Sequence, residues 1–260
     1  MPRVSLLLAL QIAYLLGLSL TIFRLFRAGL FRRYIFFFLF LVFRVGYSAV
    51  TLPMAHNTRT YFYMWLVANP IYWAFYVLVV RELCGLILEK YTGLRTLGRW
   101  FMYCSVAVAL IVSTVSMLPG VNPSIAARSN TGTLAYVISI DQGVAVSVAV
   151  FLAVLLGLLS RYPVTLPRNV VVHSFLYSLF FFSNALTTLW VSMFGVGTFH
   201  IASLISTAVT AGCGFAWYLL LSRKGEELKT NVLHVDKQRE ERLLSELNYL
   251  NQTLIKSGKS

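Results

Sequence analysis

Charge is what this sequence has least of. Of its 260 residues 12% are Asp, Glu, Lys or Arg, against 58% hydrophobic residues and a mean hydropathy of +0.74. A water-soluble domain carries about 25% charged residues, so roughly half the charge of a hydrated surface is missing. The composition suits a bilayer as solvent. Acidic residues are scarcer still, nine against 22 Lys and Arg, which leaves a net charge of +13.

Other absences remove whole classes of chemistry. The three cysteines, Cys84, Cys104 and Cys213, are too few and too scattered for a disulfide framework or a thiolate metal site, and read as small apolar fillers. The four histidines, His56, His173, His200 and His234, are spread along the chain without metal or haem spacing. No H-E-x-x-H and no nucleophile elbow occurs. Every lysine lies outside the long apolar runs, so no Schiff-base lysine of the retinal-protein kind is available. A single acidic residue, Asp141, falls within those runs, which excludes a pair of carboxylates working as acid and base in the membrane. The sequence therefore reads as a non-enzyme with no cofactor and no metal.

What the chain has instead is long apolar runs. A helix needs about 20 mostly apolar residues to cross the hydrocarbon, and seven runs qualify: Val4–Phe23, Tyr34–Pro53, Tyr61–Val80, Phe101–Leu118, Leu134–Leu159, Val170–Val191 and Phe199–Leu221. The first is longer than a signal-peptide core and no A-x-A cleavage site follows, so it reads as a span. The fold class expected is an all-α polytopic membrane protein, a seven-helix bundle over 1–221, followed by a cytoplasmic helical tail over 222–260.

The basic residues orient the bundle. Loops after the first, third and fifth runs carry Arg24, Arg27, Arg32 and Arg33, then Arg81, Lys90, Arg95 and Arg99, then Arg161 and Arg168. With the tail, that side holds all but four of the 22 Lys and Arg, the exceptions being Arg3, Arg44, Arg59 and Arg128. Lys and Arg near span ends stay cytoplasmic, which puts the N-terminus outside and the C-terminus inside. The charge excess is thus a topological signal facing an anionic inner leaflet, and needs no nucleic-acid partner. Arg32, Arg33, Arg95 and Arg99 are the residues expected to meet inner-leaflet lipid or a partner.

Arg44 is the exception, about 15 Å into the second run and so near the midplane. Asp141 lies about 10 Å below the outer face in the fifth run. Intramembrane charges face the bundle interior and pair, so the sequence predicts an Arg44–Asp141 ion pair. Gln11, Asn69, Gln142 and Asn184, with Ser183, Thr187 and Thr188, fall at similar depth. They admit two readings: a wet pocket open to the outside, helped by Pro70, or hydrogen-bond glue between helices. In the last run Ala202, Ser206, Thr210 and Gly214 recur every four residues, a face for close approach to a helix of the same bundle or to a second copy.

Two cytoplasmic segments are patterned. In Arg81–Trp100, Leu83, Leu86, Ile87 and Leu94 share a side, which predicts an amphipathic helix lying in the inner headgroup layer or docking a partner. In the tail Leu243, Leu247, Leu250 and Leu254 step by four, three and four, a short heptad-like seam on a helix from about Asp236. It can pair with a second copy or a cytoplasmic partner, or fold under the bundle. The segments TLGRW (Thr96–Trp100) and EERLLSELNYLN (Glu240–Asn251) resemble those of an uncharacterised group of bacterial multi-pass membrane proteins. That resemblance implies a bacterial inner-membrane location and assigns no functional residue. The expected function is a sensory or scaffolding protein that couples an outer-half polar pocket to the tail. The competing expectation is a transporter or channel-like facilitator for a small solute, since Arg44 and Asp141 could line its path.

Overall fold

The computed structural model describes residues 2–54, 58–89, 92–116, 132–161, 165–194, 199–227, 229–231, 241–242, 244–249 and 251–252. Helix dominates. The long helices are α1 (Pro2–Arg27), α2 (Ile35–Met54), α3 (Thr58–Ile87), α4 (Thr92–Ser116), α5 (Gly132–Arg161), α6 (Arg168–Phe194) and α7 (Phe199–Leu220), one for each apolar run. A single-turn helix, α8 (Lys224–Glu227), and two short strands, β1 (Thr165–Pro167) and β2 (Lys229–Asn231), follow the same end of the bundle. The strands pair antiparallel, Leu166 opposite Thr230.

Five helices, α1, α3, α5, α6 and α7, are long and apolar enough to cross a membrane. In α2 and α4 the apolar stretch within the described residues is shorter, Ile35–Thr51 and Gly98–Ile111. The exterior is apolar, with Leu16, Phe23, Val67, Ile111, Leu186 and Leu219 each more than half exposed, a surface of the kind lipid covers.

The helices close a circuit. α1 lies against α2, α2 against α3, α3 against α5, α5 against α6, and α6 against α7, which returns to α1; α4 buttresses α3 and α5. The α1–α7 crossing rests on two glycines. A Cβ on Gly17 would stand 3.3 Å from the backbone of Phe215, and one on Gly214 would stand 3.3 Å from the backbone of Gly17. Thr21 reinforces the crossing by donating to the Gly214 carbonyl at 2.8 Å. The small-residue stripe of the last run, with Thr210 and Gly214 buried, therefore serves a contact within this bundle. Between α2, α3, α6 and α7 the core is aromatic: Phe37, Phe40, Tyr76, Tyr177, Phe181 and Trp217 are buried and meet mostly edge-on or tilted.

The Arg81–Trp100 segment differs from its expected placement. It is helix almost throughout, as the last turns of α3 and the first of α4. Leu83, Cys84, Ile87 and Leu88 are buried in protein rather than lying in a headgroup layer. Gly98 permits this, because a Cβ there would stand 3.0 Å from the Cys84 Sγ. Leu83 and Ile87, two of the residues expected to face lipid, thus lie inside the protein. The side chain of Leu94 lies outside the described residues.

In the tail, Leu247 is buried on a helical stretch. Leu243, Leu250 and Leu254 lie outside the described residues. The expected boundary at 221/222 is also crossed by contacts: β2 pairs with β1, and α8 seats on the start of α6.

Candidate functional site

At the middle of the bundle the structure gives Arg44 a different partner from the one its sequence context suggests. Its Nε donates to the hydroxyl of Tyr14 on α1. The guanidinium carbon lies 4.9 Å from the ring centre of Phe180, 5.4 Å from Tyr14, and 5.7 Å from both Phe40 and Tyr72. Four rings from α1, α2, α3 and α6 thus box one cation. Each face-on ring contributes about 0.5–2 kcal/mol where water is excluded. Asp141 instead accepts from the indole Nε1 of Trp73 at 2.9 Å. The predicted Arg44–Asp141 ion pair does not form. Among the described residues the ion pairs join Arg33 to Glu89 and to Glu226. Arg44 and Asp141 act on each other at longer range, and Tyr76 interacts electrostatically with both. The physical reason is that ring quadrupoles and a phenol hydroxyl already supply the negative potential that the cation requires.

The polar residues at similar depth make neither reading of them general. Asn69 is buried, and its Nδ2 donates to the Trp65 carbonyl on its own helix at 2.7 Å, one residue before the Leu66 carbonyl that Pro70, having no N–H, cannot meet. The Thr187 hydroxyl donates back to the Ser183 carbonyl at 2.8 Å, and Thr207 and Thr210 do the same on α7. Gln11 is exposed on α1, while Gln142 and Asn184 are half-buried on α5 and α6. The side chain of Thr188 lies outside the described residues. A true interhelical hydroxyl pair does occur elsewhere, Ser105 with Ser147 at 2.8 Å, joining α4 to α5.

The denser polar site is at the basic end, where the loop after α1, the α3–α4 turn, the start of α6 and the root of the tail converge. The chain leaves α1 through Gly29, whose φ of +70° is left-handed and suits a glycine just past a helix C-terminus. A one-turn 3-10 helix, Leu30–Arg32, follows and delivers Arg33 and Tyr34. Helix α2 has no Ser, Thr, Asp or Asn before it to satisfy its first amides. Glu82 of the neighbouring helix α3 does so, its two carboxylate oxygens accepting from the Phe36 and Phe37 N–H groups at 3.1 Å each.

Glu226 of α8 is held from three sides. Tyr34 donates to its Oε1 at 2.7 Å, Asn169 Nδ2 donates to the same oxygen at 3.0 Å, and Arg33 Nε lies 3.2 Å from Oε2 as an ion pair. Asn169, fully buried at the start of α6, also donates to the Ser222 carbonyl at 2.7 Å and accepts from the Ser222 N–H at 3.3 Å. Gly225 fits against it because a Cβ would collide with the Asn169 amide. Arg24 closes the other edge, its Nε donating to the Leu221 carbonyl at 2.6 Å.

Beside this latch, Arg33, Arg81, Arg95 and Arg99 line a cavity of about 290 Å³ with Phe36, Glu82, Gly85, Leu86 and Glu89. Three of the four arginines expected to work at the inner face, Arg33, Arg95 and Arg99, therefore come together. The fourth, Arg32, is exposed and lies 5.8 Å from the ring centre of Phe31. The sequence does not single out Tyr14, Trp73 and Phe180 as charge partners, or Tyr34, Asn169 and Glu226 as the latch. Aromatic residues are so common here that no single ring stands out. For the latch one signal exists: Glu226 and Glu227 are the first acidic residues after Asp141, directly behind the last apolar run.

Comparison of the chain with protein-family models, with curated proteins and with solved structures gives no match. Among the described residues no group of three or more His, Cys, Asp or Glu could hold a metal. The site defines a helical, apolar protein with one boxed cation at mid-depth and an arginine-rich polar network at one end.

Proposed function

We propose that this chain is a seven-span protein of a bacterial inner membrane, N-terminus outside and C-terminus inside, acting as a sensor or scaffold that couples its bundle to its cytoplasmic tail. The observation that carries this reading is the triple hold on Glu226. The root of the tail is fixed by Arg33 and Tyr34, which sit between α1 and α2, and by Asn169 at the head of α6. A shift between those helices has to pull on α8 and hence on everything after it, which is what a transmitting joint requires. The basic end faces the anionic leaflet in this reading, in line with the distribution of Lys and Arg.

The full chain, a Glu226→Gln/Arg33→Gln variant and a chain ending at 235, each carrying a promiscuous biotin ligase at its C-terminus, test the reading in cells. A coupled tail gives the full chain a set of labelled neighbours that the truncation loses and the latch variant alters. The same neighbours in all three, at equal membrane abundance, would overturn it.

A further inference from the structure

The cavity at the basic end carries more positive charge than the structure uses. Of its two carboxylates, Glu82 is committed to the amides of α2 and Glu89 to Arg33, 3.5 Å away. Among the described residues Arg81, Arg95 and Arg99 take part in no ion pair. The Nε atoms of Arg95 and Arg99 are sealed from solvent with no hydrogen-bond partner. An N–H of a guanidinium buried in this way is costly unless an acceptor meets it. The arginines are also placed rather than merely present. Arg95 and Arg99 stand four residues apart on α4, so they share the face turned to α3. Gly85 leaves room for Arg95, whose Nη2 would lie 3.5 Å from a Cβ at that position.

We propose that this cavity is a binding site for a phosphate group, held by the guanidinium groups of Arg81, Arg95 and Arg99 with Arg33 beside them. Guanidinium forks match the paired oxygens of a phosphate and desolvate more easily than an ammonium; all four cations here are arginines. The volume of about 290 Å³ is at the lower limit of ligand pockets and suits a headgroup-sized anion. The same chemistry is offered by a phospholipid headgroup and by a soluble phosphate. This site is independent of the transmitting role given to Glu226, although Arg33 touches both.

The full chain in nanodiscs of phosphatidylcholine alone tests the proposal in two arms: calorimetric titration with inorganic phosphate, and native mass spectrometry after addition of phosphatidic acid. Saturable uptake of one phosphate group per chain is expected. Saturation with inorganic phosphate assigns a soluble source, and saturation with phosphatidic acid alone assigns a lipid. Removing two charge-assisted contacts in R95Q/R99Q should weaken binding at least about tenfold. R95K/R99K, which keeps the charge but loses the forks, should also weaken it, and Glu89→Gln should strengthen it by freeing the Nη2 of Arg33. Arg223→Gln, at the exposed edge of the same end, should leave it unchanged. Absence of saturable binding in both arms overturns the proposal, as does an affinity indifferent to R95K/R99K and Glu89→Gln.

Discussion

Arg33 and Glu226, 193 positions apart in the chain, form an ion pair 3.2 Å long that ties the α1–α2 connection to the root of the tail. The pair matters through its company. An exposed ion pair is worth at most about 1 kcal/mol, but the Glu226 side chain is only 12% exposed and accepts from Tyr34 and Asn169 as well.

Loss of that carboxylate should loosen the tail before it loosens the bundle. For Glu226→Ala, which leaves Tyr34 and Asn169 without their acceptor, a cost of about 1–3 kcal/mol is expected. Limited proteolysis at the Lys229 bond should become at least several-fold faster, with helix content by circular dichroism unchanged. Cleavage at the rate of the unaltered chain would show that Glu226 does not hold the joint.

The fit of Gly225 against Asn169 makes a second, sharper expectation. Gly225→Ala places a methyl group on the Asn169 amide and should destabilise the α8–α6 contact by about 1–3 kcal/mol, as overpacking does. Asn169→Ala in the same chain should recover part of that loss, because the clashing amide is gone. A double-variant cycle read by thermal unfolding in detergent checks this; strictly additive losses would mean that the two residues do not meet.

For the boxed cation, Arg44→Leu and Asp141→Asn should be close to additive, with a coupling below about 0.5 kcal/mol. Arg44→Leu and Tyr14→Phe should couple more strongly, since the Tyr14 hydroxyl is the direct acceptor of the Arg44 Nε. Unfolding of the four chains of each cycle decides between them. Strong coupling confined to Arg44 and Asp141 would restore the ion pair that the sequence predicts.

The α1–α7 crossing should be intolerant at two glycines and tolerant at a third close by. Gly17→Val and Gly214→Val each insert a branched side chain where a Cβ already stands 3.3 Å from backbone, and a cost of about 1–3 kcal/mol or more is expected. A Cβ on Gly212 meets nothing within 4 Å. Gly212→Ala should therefore be neutral or raise stability by up to about 1 kcal/mol through its higher helix propensity. A loss at Gly212 as large as those at Gly17 and Gly214 would mean that the close backbone approach at the crossing is not what makes those two glycines intolerant.

The apolar runs by themselves determine the long helices, because hydropathy and length are local quantities that any 20-residue window carries. The basic loops likewise mark one end, and the structure gathers Arg33, Arg81, Arg95 and Arg99 there. The stripe through Thr210 and Gly214 announces a close helix contact without saying which helix supplies the other side. What the tertiary structure alone decides is pairing. Arg44 meets Tyr14, Phe40, Tyr72 and Phe180 because the rotations of four helices about their axes bring those rings to one point, and no window of sequence holds that information. Glu82 caps α2, and Glu226 is held by Arg33, Tyr34 and Asn169, for the same reason: a charge in a poorly solvated place takes the nearest compensating group, and nearness across helices is set only when they pack.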